Sequence, residues 1–160
     1  KDLIDLTRKK GLENKIIFTG KAPWTDVPKY YSLCDVFVTA SKTETQGLTV
    51  MEAMGASKPV VAIRDESFEL MITDKKDGLF FDDEKSYVDM IYEVYKNKKL
   101  RDEISFNARL TADKYSPYNY AKNVLKVYKK VVSKDTNVVK KVVHNVKNIF
   151  TKSGGKKWKN

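Results

Sequence analysis

A chain of 160 residues with 41% hydrophobic content is long enough for one compact core and too short for two full-sized α/β domains, so one domain plus an appendage is expected. Its formal charge of +10 is unevenly spread: residues 1–121 carry 19 Lys+Arg against 20 Asp+Glu, whereas residues 122–160 carry 12 Lys against the single acid Asp135. No run approaches the roughly 18–20 apolar residues of a membrane-crossing helix, the Lys1-Asp2-Leu3-Ile4-Asp5 start lacks the apolar core of a signal peptide, and the lone Cys34 excludes an intrachain disulfide. A cytoplasmic-side protein is expected, with Cys34 a small buried hydrophobe rather than a nucleophile.

Leu3, Ile4 and Leu6 open the chain with helical periodicity, and Gly11 stands where a helix end favours a positive φ. Lys15–Gly20 reads as a short strand. Thr25 can cap a second helix running through Cys34, Asp35–Ala40 carries the apolar run Val36-Phe37-Val38, and a third helix starts near Leu48. Pro59–Ile63 is the next strand and Glu66–Ile72 the next helix. Asp77-Gly78 turns the chain into a strand at Leu79–Phe81, and helices follow at about Glu84–Lys96 and Leu100–Lys114. Such alternation argues for a doubly wound parallel sheet, because parallel strands need crossover connections and Val/Ile/Phe runs suit strands buried on two sides. Ligands of such sheets bind beyond the carboxyl ends of the strands, which directs attention to the loop Ser41–Gly47.

Two carboxylates frame that region. Glu44 lies in the loop, and Glu52 follows one turn inside the next helix, among the apolar or small residues Val50, Met51, Ala53, Met54, Gly55 and Ala56. Both can face one cleft. An ionised carboxylate in apolar company needs partners, and the vicinal hydroxyls of a ribose would serve. Between the two acids, Gly47 lets the backbone approach a ligand, and the N–H groups at the helix start suit a phosphate or diphosphate. The order acid, amides, acid therefore fits sugar hydroxyls at Glu44, diphosphate at Gln46–Thr49 and ribose at Glu52. The plainer reading makes Glu44 a solvated loop residue and Glu52 an exposed helix position.

The stretch Ser41-Lys42-Thr43-Glu44-Thr45-Gln46-Gly47-Leu48-Thr49-Val50-Met51-Glu52-Ala53-Met54, continuing to Lys58-Pro59-Val60-Val61-Ala62, resembles the signature of glycosyltransferase family 4, with two glutamates separated by seven residues. Ile16–Gly20, Tyr30–Val38 and Asp77–Phe81 agree with the flanking motifs, so the likeness runs from about Lys1 to Val131. It implies the C-terminal Rossmann-like donor domain of a two-Rossmann-domain (GT-B) enzyme that transfers a sugar with retention, in most members without a metal. By the same resemblance Glu44 stands at the reaction centre holding donor-sugar hydroxyls. Gly47 and Leu48 present backbone amides to sugar and diphosphate, within the Gln46 to Thr49 stretch already read as the diphosphate site, Glu52 holds the ribose, and Gly20 and Lys21 lie near the base. Many members have an aromatic residue where this chain has Gln46. Glu44-Thr45-Gln46-Gly47-Leu48-Thr49 is similar to the bacterial diacylglycerol glucosyltransferases, which implies UDP-glucose as donor, no further cofactor, and a lipid acceptor.

In that family, two strands, a helix and a glycine-rich loop precede the helix with which this chain opens, and an N-terminal domain binds the acceptor. The expected reading is a piece of a longer polypeptide, inactive without its N-terminal domain. Residues 1–116 form a partial Rossmann-like nucleotide-sugar-binding domain, 117–134 the crossing helix, and 135–160 a basic amphipathic tail. In the tail Val138, Val139, Val142, Val143, Val146, Ile149 and Phe150 form one stripe, and Lys140, Lys141, His144, Lys147 and Asn148 the other side, before Lys156-Lys157-Trp158-Lys159. That pattern suits an anionic membrane surface with Trp158 at headgroup level, and so a peripheral position on the cytoplasmic face. The rivals are a solvated tail, a helix docked on the missing domain, and nucleic acid; an all-lysine tail with an apolar stripe argues against the last. For the whole chain the alternatives are a transferase acting on a cell-surface polysaccharide or glycan, and a non-enzymatic anion- or lipid-binding module.

Overall fold

The computed structural model describes residues 2–132 and 140–147. The chain divides into two compact units, Lys1–Ala112 and Asp113–Asn160. The first unit is α/β. Helix α1 (Asp2–Lys9) carries Asp2 and Asp5 in its first turn and Arg8 and Lys9 in its last, as the helix dipole favours. It ends at Gly11, whose φ is +64°. Then come α2 (Val27–Leu33), β1 (Phe37–Thr39), α3 (Leu48–Gly55), β2 (Val60–Ile63), α4 (Glu66–Glu69), β3 (Leu79–Phe81), α5 (Glu84–Lys96) and α6 (Lys98–Lys114).

The sheet has the order β1-β2-β3 and is parallel throughout, with Val38 opposite Val61 and Ala62 opposite Phe80. Successive side chains of β2 point to opposite faces, yet all four are buried, so both faces of the central strand are covered. Val50, Ala53 and Met54 of α3, Phe68 of α4, Val94 of α5, and Ile104 and Ala108 of α6 join the strands in one core. Good caps fix the helix starts. The Asp65 carboxylate accepts from Ser67 N–H ahead of α4, and Asp83 and Ser86 close a reciprocal capping box on α5.

The strand expected at Lys15–Gly20 does not form. A strand exists only as part of a ladder, and among the described residues β1 pairs with β2 alone. Lys15 and Ile16 N–H groups close instead on the Leu12 carbonyl, at 2.9 and 3.2 Å, and the apolar run that follows faces solvent, with Ile17 89% exposed. The apolar side of α1 is uncovered as well: Leu3, Ile4 and Leu6 are exposed, and only Thr7 of this helix is buried.

The turn into β3 is set by sterics and a buried acid. A Cβ on Gly78 would stand 2.7 Å from Ile72 Cγ2 and 3.3 Å from the Val60 carbonyl oxygen, leaving no room for a side chain. Asp77, 3% exposed, accepts from Thr73 N–H at 2.6 Å and from the Thr111 hydroxyl at 2.7 Å, linking the turn to α6.

In the second unit, α7 (Pro117–Val132) and a helical segment at 140–147 lie side by side. Val142 and Val143 stand by Leu125, Tyr128 and Val132, while Val146 and Lys147 stand by Tyr118 and Ala121, so the two helices run antiparallel. Within the described residues, then, the valine stripe of the tail packs on α7. Val138, Val139, Asn148, Ile149, Phe150 and the Lys156–Lys159 cluster lie outside the described residues. His144 is exposed.

Thr111→Val should leave a buried Asp77 oxygen without its donor. A loss of about 1–3 kcal/mol is expected, measured by urea unfolding; an unchanged midpoint would show that the Thr111–Asp77 bond contributes nothing.

Candidate functional site

β1 ends at Thr39 and delivers the chain into the loop before α3. Thr39 Oγ1 accepts from Ser41 N–H at 3.3 Å, which turns the chain away from the sheet. Helix α3 then starts from Gly47, at φ +56° and ψ +31°, with no side-chain cap at that position. A Cβ there would meet Met71 Cε at 2.1 Å and Sδ at 2.8 Å, so both the left-handed conformation and the covering thioether call for glycine.

Glu44 takes over the capping. Its Oε1 accepts three backbone bonds, from Thr45 at 3.0 Å, Gln46 at 3.2 Å and Gly47 at 3.0 Å. These donors, Gln46 first, hold the carboxyl below its ordinary pKa. The Gln46 and Gly47 amides expected to face a diphosphate are therefore occupied by the chain's own acid. Leu48 and Thr49, both exposed, begin the helix, and N–H groups at a helix start have no intrahelical partner. All three bonds end on one oxygen of Glu44, so Oε2 stays open to a further donor.

Glu52 lies one turn further on. Leu48, Thr49 and Glu52 share a helix face by their spacing, and all three are exposed, so this face is open rather than enclosed by apolar neighbours. Tyr31, only 9% exposed, reaches from α2 beneath it and places its hydroxyl 3.0 Å from Glu52 Oε2 and 3.2 Å from the Thr49 carbonyl oxygen. Burial, with the hydrogen bond to Glu52 and its charge, raises the phenol well above its ordinary pKa, so it remains a donor. Sequence reasoning did not single out Tyr31, because its partner is 21 residues away and nothing in Tyr30-Tyr31-Ser32 separates a core tyrosine from one that orients an acid.

Gly20 and Lys21 are exposed, and among the described residues no hydrogen bond ties either to the Glu44 loop or to α3. Cys34, partly buried, donates to the Tyr31 carbonyl at 3.2 Å, and burial raises its pKa, which suits a packing role. No cluster of three metal-ligating side chains occurs among the described residues. A cavity of about 690 Å³ lies elsewhere, between the residues leading into β1 and the outer face of α5, lined by Tyr87, Val88, Ile91, Tyr92 and Tyr95. Its Arg101 already caps the Val94 and Tyr95 carbonyls, so it offers little chemistry to a substrate.

Comparison with known proteins decides the family. The model of the family "Glycosyl transferases group 1" matches residues 1–111, which include the Glu44 loop, α3 and the whole sheet. The chain belongs to the group 1 glycosyl transferases. It is 32% identical over 139 residues to an alpha-monoglucosyldiacylglycerol synthase of Acholeplasma laidlawii, covering 87% of this chain and 34% of that protein. It is 28% identical over 127 residues to the enzyme of the same name from Streptococcus pneumoniae, covering 79% of this chain and 28% of that one. The chain thus spans about a third of the length of these relatives. Among solved structures, HepE of Anabaena, in complex with UDP and glucose, superposes with a TM-score of 0.70 at 22% identity, over 82% of this chain and 36% of that chain. The fold is therefore that of a GT-B glycosyltransferase, as the family resemblance implied, and its sheet is parallel, as the alternation of elements implied.

The Glu44 loop should be sensitive to acid. A carboxyl whose pKa is lower in the folded loop than in the unfolded chain stabilises the loop fully above the ordinary carboxylate range, and loses that contribution as pH falls through the depressed value. The Thr45, Gln46 and Gly47 amide resonances should titrate below the ordinary range in the wild type and stay flat in Glu44→Gln. Identical curves in both chains would show that the three bonds do not form in solution.

Proposed function

We propose that this chain is the donor-binding part of a retaining family 4 hexosyltransferase, taking UDP-glucose and delivering glucose to a membrane lipid such as diacylglycerol. The observation that carries the reading is the arrangement around the start of α3, in a chain whose named relatives include two monoglucosyldiacylglycerol synthases. Glu44 spends one oxygen on the loop and offers the other to a sugar hydroxyl. The amides that open α3 face the diphosphate, where the helix dipole favours negative charge. Glu52, oriented by Tyr31, accepts from the ribose hydroxyls, and Gly20 and Lys21 lie toward the base.

Transfer then works by positioning. The charged acceptors fix the sugar and the ribose at two ends, the helix start stabilises the negative charge that develops on the departing diphosphate, and no metal is needed in that account. The acceptor binds to a domain outside this chain, so the 160 residues alone bind donor without turnover. The enzyme works peripherally on the cytoplasmic membrane face, held in part by the lysines of residues 122–160.

Donor binding to the 160-residue chain tests this, by calorimetry with UDP and UDP-glucose. Glu52→Ala should weaken both ligands, and Glu44→Gln, which keeps an oxygen for the loop amides, should weaken UDP-glucose while sparing UDP. Each lost charged hydrogen bond should cost about 1.5–3 kcal/mol, or roughly ten- to hundredfold. Tyr31→Phe, with Glu52 intact, should weaken both ligands several-fold. Unchanged affinities in all three variants would return the acids to ordinary surface positions.

A further inference from the structure

The second unit carries a groove of its own. Between α7 and helix 140–147 runs a groove of about 260 Å³, floored by Leu125, Val143 and Val146 and edged by Lys122, Lys129 and Lys147. Among the described residues no carboxylate lines it. The two helices that form it carry four Lys in α7 and three in 140–147, with no Asp or Glu in either, so their own charge is positive as well.

An apolar floor under a cationic rim selects ligands that are apolar at one end and anionic at the other. Lysine stems lie along apolar surface while their ammonium groups reach outward to pair with phosphate. A polynucleotide would satisfy the rim and leave the floor empty, because a phosphate backbone has no alkyl chain to place there. The groove is also smaller than the roughly 300–1,000 Å³ of pockets that enclose a whole ligand, so it suits part of a larger molecule whose remainder lies elsewhere. A lipid anchored in a bilayer meets both conditions.

We propose that the groove between α7 and helix 140–147 holds one anionic membrane lipid, with its phosphate at Lys122 and Lys129 and the first carbons of one chain on Leu125, Val143 and Val146. This rests on the reading that the protein works at a membrane and adds to it a defined lipid site. The valine face of helix 140–147 then acts as one wall of a lipid-binding slot while the helix stays packed on α7.

The test uses the full 160-residue chain and dihexanoyl phosphatidylglycerol, held below its micelle-forming concentration so that only single lipids are present. Nuclear magnetic resonance titration should show saturable binding of one lipid per chain, with shifts at Leu125, Val143 and Val146, and at least tenfold weaker binding of dihexanoyl phosphatidylcholine. Ala121→Trp, which fills the floor without altering charge, should weaken the anionic lipid at least tenfold, with helix content checked by circular dichroism. Lys122→Gln with Lys129→Gln, both exposed positions, should independently erase the preference for the anionic headgroup. Sedimentation with phosphatidylglycerol vesicles separates the two readings, because lysines outside the groove should keep Ala121→Trp on the bilayer. Vesicle binding without saturable single-lipid binding, or equal single-lipid binding by wild type and a folded Ala121→Trp, would overturn the groove and leave the membrane reading standing. Absence of vesicle binding would overturn the membrane reading, and saturable binding of duplex DNA in place of lipid would overturn both.

Discussion

A parallel strand can be supported only by neighbours reached through crossovers, and β2 is bonded on both sides and buried at all four of its residues. That pairing aligns the carboxyl ends of the three strands at one edge. The loop after Thr39, the Arg64-Asp65 turn and the Asp82-Asp83 turn all leave from there. Arg64, just past β2, donates to Asp82 at 3.0 Å, Asp74 at 3.2 Å and Glu69 at 3.3 Å, with its guanidinium over the Phe80 ring. Each of these exposed pairs is weak alone. Together they commit the Arg64 guanidinium to the chain's own carboxylates and tie the ends of β2 and β3 to the turns that follow them.

The loop before α3 is tied the other way round, by a carboxylate rather than a cation. A helix start with glycine at its cap offers a cluster of N–H groups, and an acid three residues upstream satisfies the ones ahead of it. Loop geometry is thereby set by the chain's own acid, through three backbone bonds to one oxygen. Glu52 is held in a similar way by the buried Tyr31 phenol, whose pKa burial and the bond to Glu52 raise.

Much of this architecture was legible in the sequence, because its signals are local. Val60-Val61-Ala62-Ile63 and Leu79-Phe80-Phe81 are apolar runs between breakers, and Asp77-Gly78 marks the turn into β3. The relation of Glu44 to Glu52 was readable as a spacing. What escaped was whatever depends on a distant partner. Ile16-Ile17-Phe18 has strand composition, and composition cannot show whether a neighbouring strand is there to bond it. The valines of 140–147 read as a membrane-facing stripe, and only the fold shows α7 beside them. Likewise the amides of Gln46 and Gly47 looked available, since a loop glutamate folding back on its own backbone leaves no mark in residue order.

Met71 and Gly47 also constrain one another over generations. A side chain at position 47 would collide with the Met71 thioether, yet trimming Met71 to alanine would remove only the collision and leave the left-handed backbone at 47 as hostile to other residues as before. Neither single step gains anything, and the second alone opens a hole beside Phe68. Drift in this lineage is therefore expected to explore the exposed positions Thr45, Gln46 and Thr49 while the glycine stays fixed, so variation in this loop would be written around position 47 rather than at it.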